Sequence, residues 1–211
     1  MSIVFFDKDG VLVDTEQEYL KRNIAFLATQ GYHVTAEQAK QLPGGNPKRD
    51  LYLYHQWFGD FDDFDFLSKK REYFEKIGLV DFNSLKMPNL DIVLNELVKR
   101  KHHITLVSSS SKENIHYLLN LFKIENLFEN IVSGEDFEES KPNPEIYRYA
   151  KNLYKNTNEN IFVVEDSTLG IIAAKEADLT VIALNSKSFA FDQTRADYVI
   201  SDLVELLDII K

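Results

Sequence analysis

The sequence predicts an α/β protein: a parallel sheet with helices on both faces, interrupted after its first strand by an all-helical insert. Three observations predict it. From Pro88 onward, short apolar runs alternate with helical patterns of about ten residues, the pattern of parallel strands joined by crossover helices. The first apolar run, residues 3–6, is rich in β-branched and aromatic residues and is stopped by Asp7, Asp9 and Gly10. Between Thr15 and about Ser84 no strand pattern occurs, only helical periodicity and turn residues.

The elements follow in order. After the strand at 3–6, residues 16–30 read as a helix with Tyr19, Ile24, Phe26 and Leu27 among its apolar positions, and Gly31 stops it. Residues 35–41 form a short helix broken by Pro43-Gly44-Gly45, and another begins near Pro47 carrying Leu51, Tyr54, Trp57 and Phe58. Residues 59–66, GDFDDFDF, lack the ligand spacing and central glycine of an EF-hand and read as a loop leading into a capped helix. Residues 68–77 are helical. Beyond Pro88, a helix with Ile92, Val93, Leu94, Leu97 and Val98 on its apolar face precedes a strand at 103–109. A helix at 112–122, a strand at 131–132, a helix at 144–154, a strand at 161–164 and a helix at 168–177 come next. Strands at 180–184 and 198–200 and a helix capped by Asp202 complete the chain.

Composition narrows the function classes. A chain of 211 residues is long enough for one full core, or for one core plus a small insert. With no cysteine, disulfides, thiolate metal sites and thiol catalysis are excluded. No apolar run approaches the ~20 residues that span a bilayer. The amino end is a strand with an aspartate pair rather than a signal peptide, so a soluble cytoplasmic protein is expected. A net charge of −10 argues against nucleic acid, whose phosphates are neutralised by Lys and Arg. An anionic small substrate requires cations concentrated locally.

The chemistry-bearing residues gather at strand ends. Ligands of open α/β sheets bind beyond the carboxyl ends of the strands, where Asp7 and Asp9, two positions apart, share one face of an extended chain. A lone Asp-Gly turn is the bland alternative. Three further segments weigh against it. HITLVSSSS, residues 103–111, ends an apolar strand in hydroxyls and successive N–H groups suited to an anion. ESKPNPEIY, residues 139–147, sets Lys141 in a proline-fixed turn. IFVVEDSTLGIIAAK, residues 161–175, delivers Glu165 and Asp166 from a strand. Lys8 faces away from Asp7 and Asp9 on a continued strand and reads as a surface lysine or one facing the insert, the alternative being a direct phosphate ligand. His102 and His103 have no partner at metal-binding spacing and read as structural.

In this order, Asp7-Lys8-Asp9-Gly10-Val11, the Ser109 hydroxyl, Lys141-Pro142-Asn143-Pro144 and Glu165-Asp166-Ser167 with Gly170-Ile171 resemble the haloacid dehalogenase-like hydrolase superfamily. Asp-Thr-Glu at 14–16, the serine run and Glu-Asp-Ser resemble its β-phosphoglucomutase-like phosphatases. The resemblance implies a Rossmann-like parallel sheet core, residues 1–14 and 85–211, with the insert, residues 15–84, as a small all-helical cap. The hinges would be 14–16 and about 80–87. It implies Asp7 as nucleophile, Asp9 as acid and then base, and Mg²⁺ as cofactor. The metal ligands implied are Asp7, Asp166, the Asp9 carbonyl and, as a third side chain, Glu165. Lys141 would neutralise the phosphoryl oxygens and Ser109 would hydrogen-bond one of them, the serine run favouring Ser109 over Ser108. The N–H groups of Ser110 and Ser111 extend that cradle.

Lys48 and Arg49 have two readings, a grip on a second phosphate or a sugar and solvated charge at a helix start. The function implied is a Mg²⁺-dependent phosphatase, monomeric, acting on a small phosphorylated metabolite such as a sugar phosphate. The alternative is a β-phosphoglucomutase-type phosphomutase, but such mutases carry a histidine early in the first cap helix. Residues 16–22 have none, and Tyr19 lies near the matching position. A catalytically silent binding protein is disfavoured by intact Asp7, Asp9, Lys141 and Asp166, and dehalogenase chemistry by the second aspartate.

Overall fold

The structure is a computed structural model that describes residues 1–44, 47–78, 80–186 and 189–211. In chain order it contains β1 (Ser2–Phe6), α1 (Glu16–Thr29), α2 (Ala36–Ala39), α3 (Pro47–Phe58), α4 (Asp63–Ile77), α5 (Phe82–Leu85) and α6 (Leu90–Lys99). Then come β2 (His103–Ser108), α7 (Lys112–Phe122), β3 (Asn130–Ser133), α8 (Glu145–Leu153), β4 (Asn160–Glu165), α9 (Thr168–Glu176), β5 (Thr180–Leu184), β6 (Tyr198–Ile200) and α10 (Leu206–Ile209). Two compact units divide the chain: Met1–Asp14 with Phe82–Lys211, and Thr15–Asp81.

In the first unit all six strands form one sheet in the order β3-β2-β1-β4-β5-β6, and every neighbouring pair is parallel. The chain leaves β1 toward β2 on one side and returns to β4 on the other, so the strand order reverses between β1 and β4. Side chains on either side of such a switch point border the ligand crevice of an open sheet. All five residues of β1 are buried, as a central strand covered on both faces requires. Ile3 and Phe5 alternate onto one face with Val107, Val163 and Val181, where Ile146, Tyr147 and Ala150 of α8 and Ile171, Ala173 and Ala174 of α9 cover them.

Several boundaries differ from the sequence expectation. Helix α6 buries Leu90, Val93, Leu94 and Leu97, a stripe at i, i+3, i+4 and i+7, while Ile92 and Val98 are exposed. At 100° per residue Ile92 falls on the far side of that stripe and Val98 on its flank. The short helix α5 belongs with the sheet, its buried Phe82 lying 6.0 Å from the Tyr117 ring of α7, so the second boundary falls at 81/82 rather than 84/85. Strand β2 ends at Ser108, one residue early. Asp202 caps a 3-10 turn, Leu203–Glu205, ahead of α10.

The second unit is helical among its described residues. Helix α4 begins five residues before the expected 68 because Asp62 caps it, its carboxylate accepting from the Asp65 N–H at 2.7 Å. The core of this unit is aromatic: Phe26, Leu27, Leu42, Tyr54 and Phe66 are buried, and Trp57, Phe58 and Phe61 pack against them. The Phe61 and Phe66 rings stack at 4.5 Å, and the Phe26 and Phe66 rings meet edge to face at 5.1 Å.

Asp50 of α3 is buried in this unit, and burial pushes its carboxyl up to about 6 against the pull of Lys70 and Arg49. Between about pH 4 and pH 6 the folded chain therefore holds a proton that the unfolded chain has lost, and stability falls as pH rises through that window. Asparagine is neutral at every pH. Asp50→Asn should raise stability at pH 8 by about 2–3 kcal/mol, with the gain vanishing near pH 4. Melting temperatures of both proteins at the two pH values check this; a gap equal at both would refute it.

Candidate active site

The carboxyl ends of β1, β2 and β4, with the loop that follows β3, bring together most of the residues singled out in the sequence. Asp7 directly follows β1, and its N–H continues the β1–β4 ladder by donating to the Val164 carbonyl at 3.0 Å. Its Oδ1 accepts from the Lys141 ammonium at 2.6 Å. The same ammonium donates to Glu165 Oε1 at 2.7 Å and to the Val107 carbonyl of β2 at 3.3 Å, and lies 4.8 Å from the Tyr147 ring centre. All of these side chains are buried.

Glu165, the last residue of β4, is saturated. Its Oε1 accepts from Lys141 and from the Tyr147 hydroxyl at 3.0 Å. Its Oε2 accepts from the Asp166 N–H at 3.1 Å, the Ser167 N–H at 3.2 Å and the Ser167 hydroxyl at 3.1 Å. Two carboxylate oxygens offer about four lone-pair positions, and these donors take them all. Asp7 is held more sparingly: among the described residues its side chain has one hydrogen bond, from Lys141. Asp7, Glu165 and Asp166 each bring a carboxylate oxygen within 4.8 Å of the other two, and all three are buried.

The electrostatics follow from crowding acids in a dry place. Burial, with Lys141 pulling the other way and Glu165 and Asp9 adding to it, holds the Asp7 carboxyl well above the usual carboxylate range. Burial also works against the Lys141 charge, but Asp7 and Glu165 outweigh it and hold the ammonium well above its ordinary value. Lys141 stays charged.

Missing side chains make the arrangement possible. Gly10, at φ 78°, lies against the Asp166 carboxylate, and a Cβ there would overlap it. A Cβ on Gly170 in α9 would overlap the Glu165 carboxylate. One on Gly134 would come within 2.8 Å of the Ser109 Cα, so that glycine sets how closely the turn after β3 approaches the serine loop.

That loop is tied on both sides. Ser108 is buried and its Oγ accepts from the Ser110 N–H at 3.1 Å. The Ser110 carbonyl accepts from the Ser133 hydroxyl at 2.8 Å, and the Ser110 hydroxyl donates to Asp9 Oδ2 at 3.0 Å. Ser109 is half-buried between them, and Ser111 caps α7. Asp9 is partly exposed.

Lys8 departs from the sequence reading. It is not a surface lysine: its side chain is 0% exposed and its ammonium donates to Asp9 Oδ1 at 2.8 Å and Asn114 Oδ1 at 3.2 Å. The strand ends at Phe6 and the chain turns at Lys8, whose carbonyl accepts from the Leu12 N–H at 2.8 Å, so strand alternation no longer governs where residue 8 points. Tyr147 carried no signal in the motif either. Its position beside Ile146 and Ala150 on the buried stripe of α8 is the feature that marks it. In the helical unit Lys48 is exposed and Arg49 half-buried, while Gly45 and Asn46, which precede them in the GGNPKR stretch, lie outside the described residues. Burial lowers the Arg49 guanidinium from its ordinary value, and Asp50 works against that.

A sequence model of the haloacid dehalogenase-like hydrolases matches residues 4–184. An uncharacterized protein in the fgs 3′ region of Lacticaseibacillus casei is 30% identical over 189 residues, covering 86% of this chain and 83% of its own. A phosphorylated carbohydrates phosphatase of Thermotoga maritima is 26% identical, over 85% of this chain and 82% of its own. Among solved structures, a β-phosphoglucomutase from Clostridium difficile superposes with a TM-score of 0.79 at 21% identity, over 98% of this chain and 93% of that one, a likeness of fold. Among the described residues no helix is long and apolar enough to cross a membrane.

Replacing a helical glycine by alanine ordinarily stabilises by up to ~1 kcal/mol. Gly170→Ala should do the opposite, destabilising by roughly 2–4 kcal/mol, because its methyl must displace the Glu165 carboxylate from five donors. Denaturant unfolding measures the sign; a stabilised variant would show that Glu165 is not held as described.

Proposed function

Because the chain belongs to the haloacid dehalogenase-like hydrolase family, we propose that it is a Mg²⁺-dependent phosphatase that hydrolyses a small phosphorylated metabolite through an aspartyl-phosphate. The observation that carries this reading is the Asp7–Lys141–Glu165 bridge beside Asp166: a buried carboxylate held at one oxygen by a buried ammonium. Named relatives with phosphatase activity, including the Thermotoga maritima carbohydrate phosphatase, support a phosphorylated substrate and leave its identity to experiment. Unit 15–81 is the cap of this reading, and Lys48 and Arg49 of α3 are its candidates for contacting the rest of the substrate.

Phosphate monoesters hydrolyse extremely slowly in water, and a carboxylate nucleophile divides the barrier into two. In the first step an Asp7 oxygen bonds to phosphorus and the bond to the ester oxygen breaks; Asp9 gives that oxygen its proton, releasing an alcohol. In the second, Asp9 takes a proton from water, whose oxygen bonds to phosphorus while the Asp7–phosphorus bond breaks. The sum is ester plus water to alcohol plus phosphate. Lys141 faces the charge on the phosphoryl group, and the Ser109 hydroxyl with the Ser111 N–H forms its cradle, whereas the Ser110 N–H expected to extend it is already held by Ser108 Oγ.

The donor set fits a hard divalent cation, since it is made of buried carboxylate oxygens that outnumber the one ammonium between them. Glu165 is already saturated, so Asp7 and Asp166, with the Asp9 carbonyl, would hold Mg²⁺, and Glu165 would anchor Lys141. When bound, the cation supplies positive charge against the phosphoryl oxygens.

Phosphate release from a panel of phosphorylated metabolites with Mg²⁺ tests the reading, with β-glucose 1-phosphate assayed with and without a bisphosphate activator. Release from one or a few esters is expected; glucose 6-phosphate without phosphate release would replace phosphatase by mutase. Asp7→Asn should abolish turnover, and activity above about a hundredth of the parent would remove Asp7 as nucleophile. A chelator should abolish activity and added Mg²⁺ restore it, while activity that survives chelation would rule out the cation.

A further inference from the structure

We propose that Lys8 is a positioning residue for proton transfer: its buried ammonium fixes the orientation of the Asp9 carboxylate toward the leaving group. The inference rests on Asp9 as the acid and base of the proposed reaction, and it adds a residue that the reaction itself does not require.

Four observations carry it. The Lys8 side chain is 0% exposed, so its charge must be met inside the protein. The carboxylate that meets it is Asp9, at 2.8 Å to Oδ1. The ammonium cannot drift, because Asn114 Oδ1 of α7 accepts from it at 3.2 Å and the Phe82 ring lies 5.6 Å away. The other Asp9 oxygen, Oδ2, accepts from the Ser110 hydroxyl at 3.0 Å.

Asp9 is thereby gripped at both oxygens, by its own chain neighbour and by the loop after β2, while it remains partly exposed. The grip is rigid at each end. The Lys8 carbonyl receives the Leu12 N–H at 2.8 Å and the Ser110 carbonyl receives the Ser133 hydroxyl at 2.8 Å. A proton donor works only when held within hydrogen-bond reach of the atom it serves, and two anchors hold Asp9 better than one. Lys8 touches Asp9 and Asn114, so its effect reaches the reaction through Asp9.

Leaving-group dependence separates this role from a structural one. An alkyl ester needs a proton on its departing oxygen, whereas 4-nitrophenyl phosphate leaves as a stabilised anion and needs none. Lys8→Met keeps the volume and the apolar stem; it should lower kcat/KM for β-glycerol phosphate about 10–100-fold and for 4-nitrophenyl phosphate no more than about 3-fold. The ratio of the two values does not depend on how much of a preparation is folded, and Lys8→Gln gives a second variant should Lys8→Met not accumulate. Asp9→Asn, assayed alongside, should show the same preference more strongly. If Asp9→Asn shows it and the Lys8 variants slow both esters equally, or neither, the positioning role is wrong. If Asp9→Asn itself shows no preference, Asp9 is not the proton donor, and the role proposed for Lys8 falls with it.

Discussion

One ammonium holds the strand ends together. Lys141 comes from the loop after β3 and reaches Asp7 at the end of β1, the Val107 carbonyl near the end of β2 and Glu165 at the end of β4. Four successive parallel strands of the sheet therefore meet at a single nitrogen. A buried ion pair is weak evidence of net stability, since desolvation offsets much of the attraction, but breaking one by removing a partner typically costs about 3–5 kcal/mol. Its structural consequence is uniqueness. A shift of one strand end relative to another would pull Lys141 from one of these partners, so the sheet's register and the site's geometry are specified together.

The glycines answer to the same crowding. Carboxylates can converge only where backbone approaches closely, and the positions pressed against Asp166 and Glu165 are Gly10 and Gly170. Gly10 also needs its positive φ to turn the chain after Asp9. Gly170 does not: it sits in a helix, where conformational freedom is a liability, and the space beside Glu165 is the reason for it. Helix α9 thus gives up local preference so that β4 can end in Glu165.

Much of this was legible in the sequence because it rests on strong, local signals. Apolar runs ended by Asp, Ser or Glu-Asp marked β1, β2 and β4, and their alternation with helices implied the parallel sheet that forms. What escaped reading lies where local pattern yields to long-range packing. Ile92 and Val98 are apolar yet exposed, because only one stripe of α6 meets the core. Lys8 was read by strand alternation, but the strand had already ended, and the groups that accept its charge include Asn114, far along the chain. Glu165 was recognisable as an acid at a strand end; that its oxygens would be consumed by Lys141, Tyr147 and the Ser167 turn depends on a tyrosine in another helix.

The acids of the site are told apart by what holds them rather than by residue type. Glu165 has every acceptor position filled and so serves as a fixed counter-charge. Among the described residues the Asp7 side chain keeps one hydrogen bond, and it sits where burial already opposes its ionisation. Asp9 is partly exposed and gripped at two oxygens, which suits the proton exchange proposed for it. Three of the site's four acids therefore sit in three different surroundings because donors are distributed unequally among them. That distribution comes from Lys8, Ser110, Lys141, Tyr147 and Ser167, residues that differ from the acids in kind but decide what each acid can do.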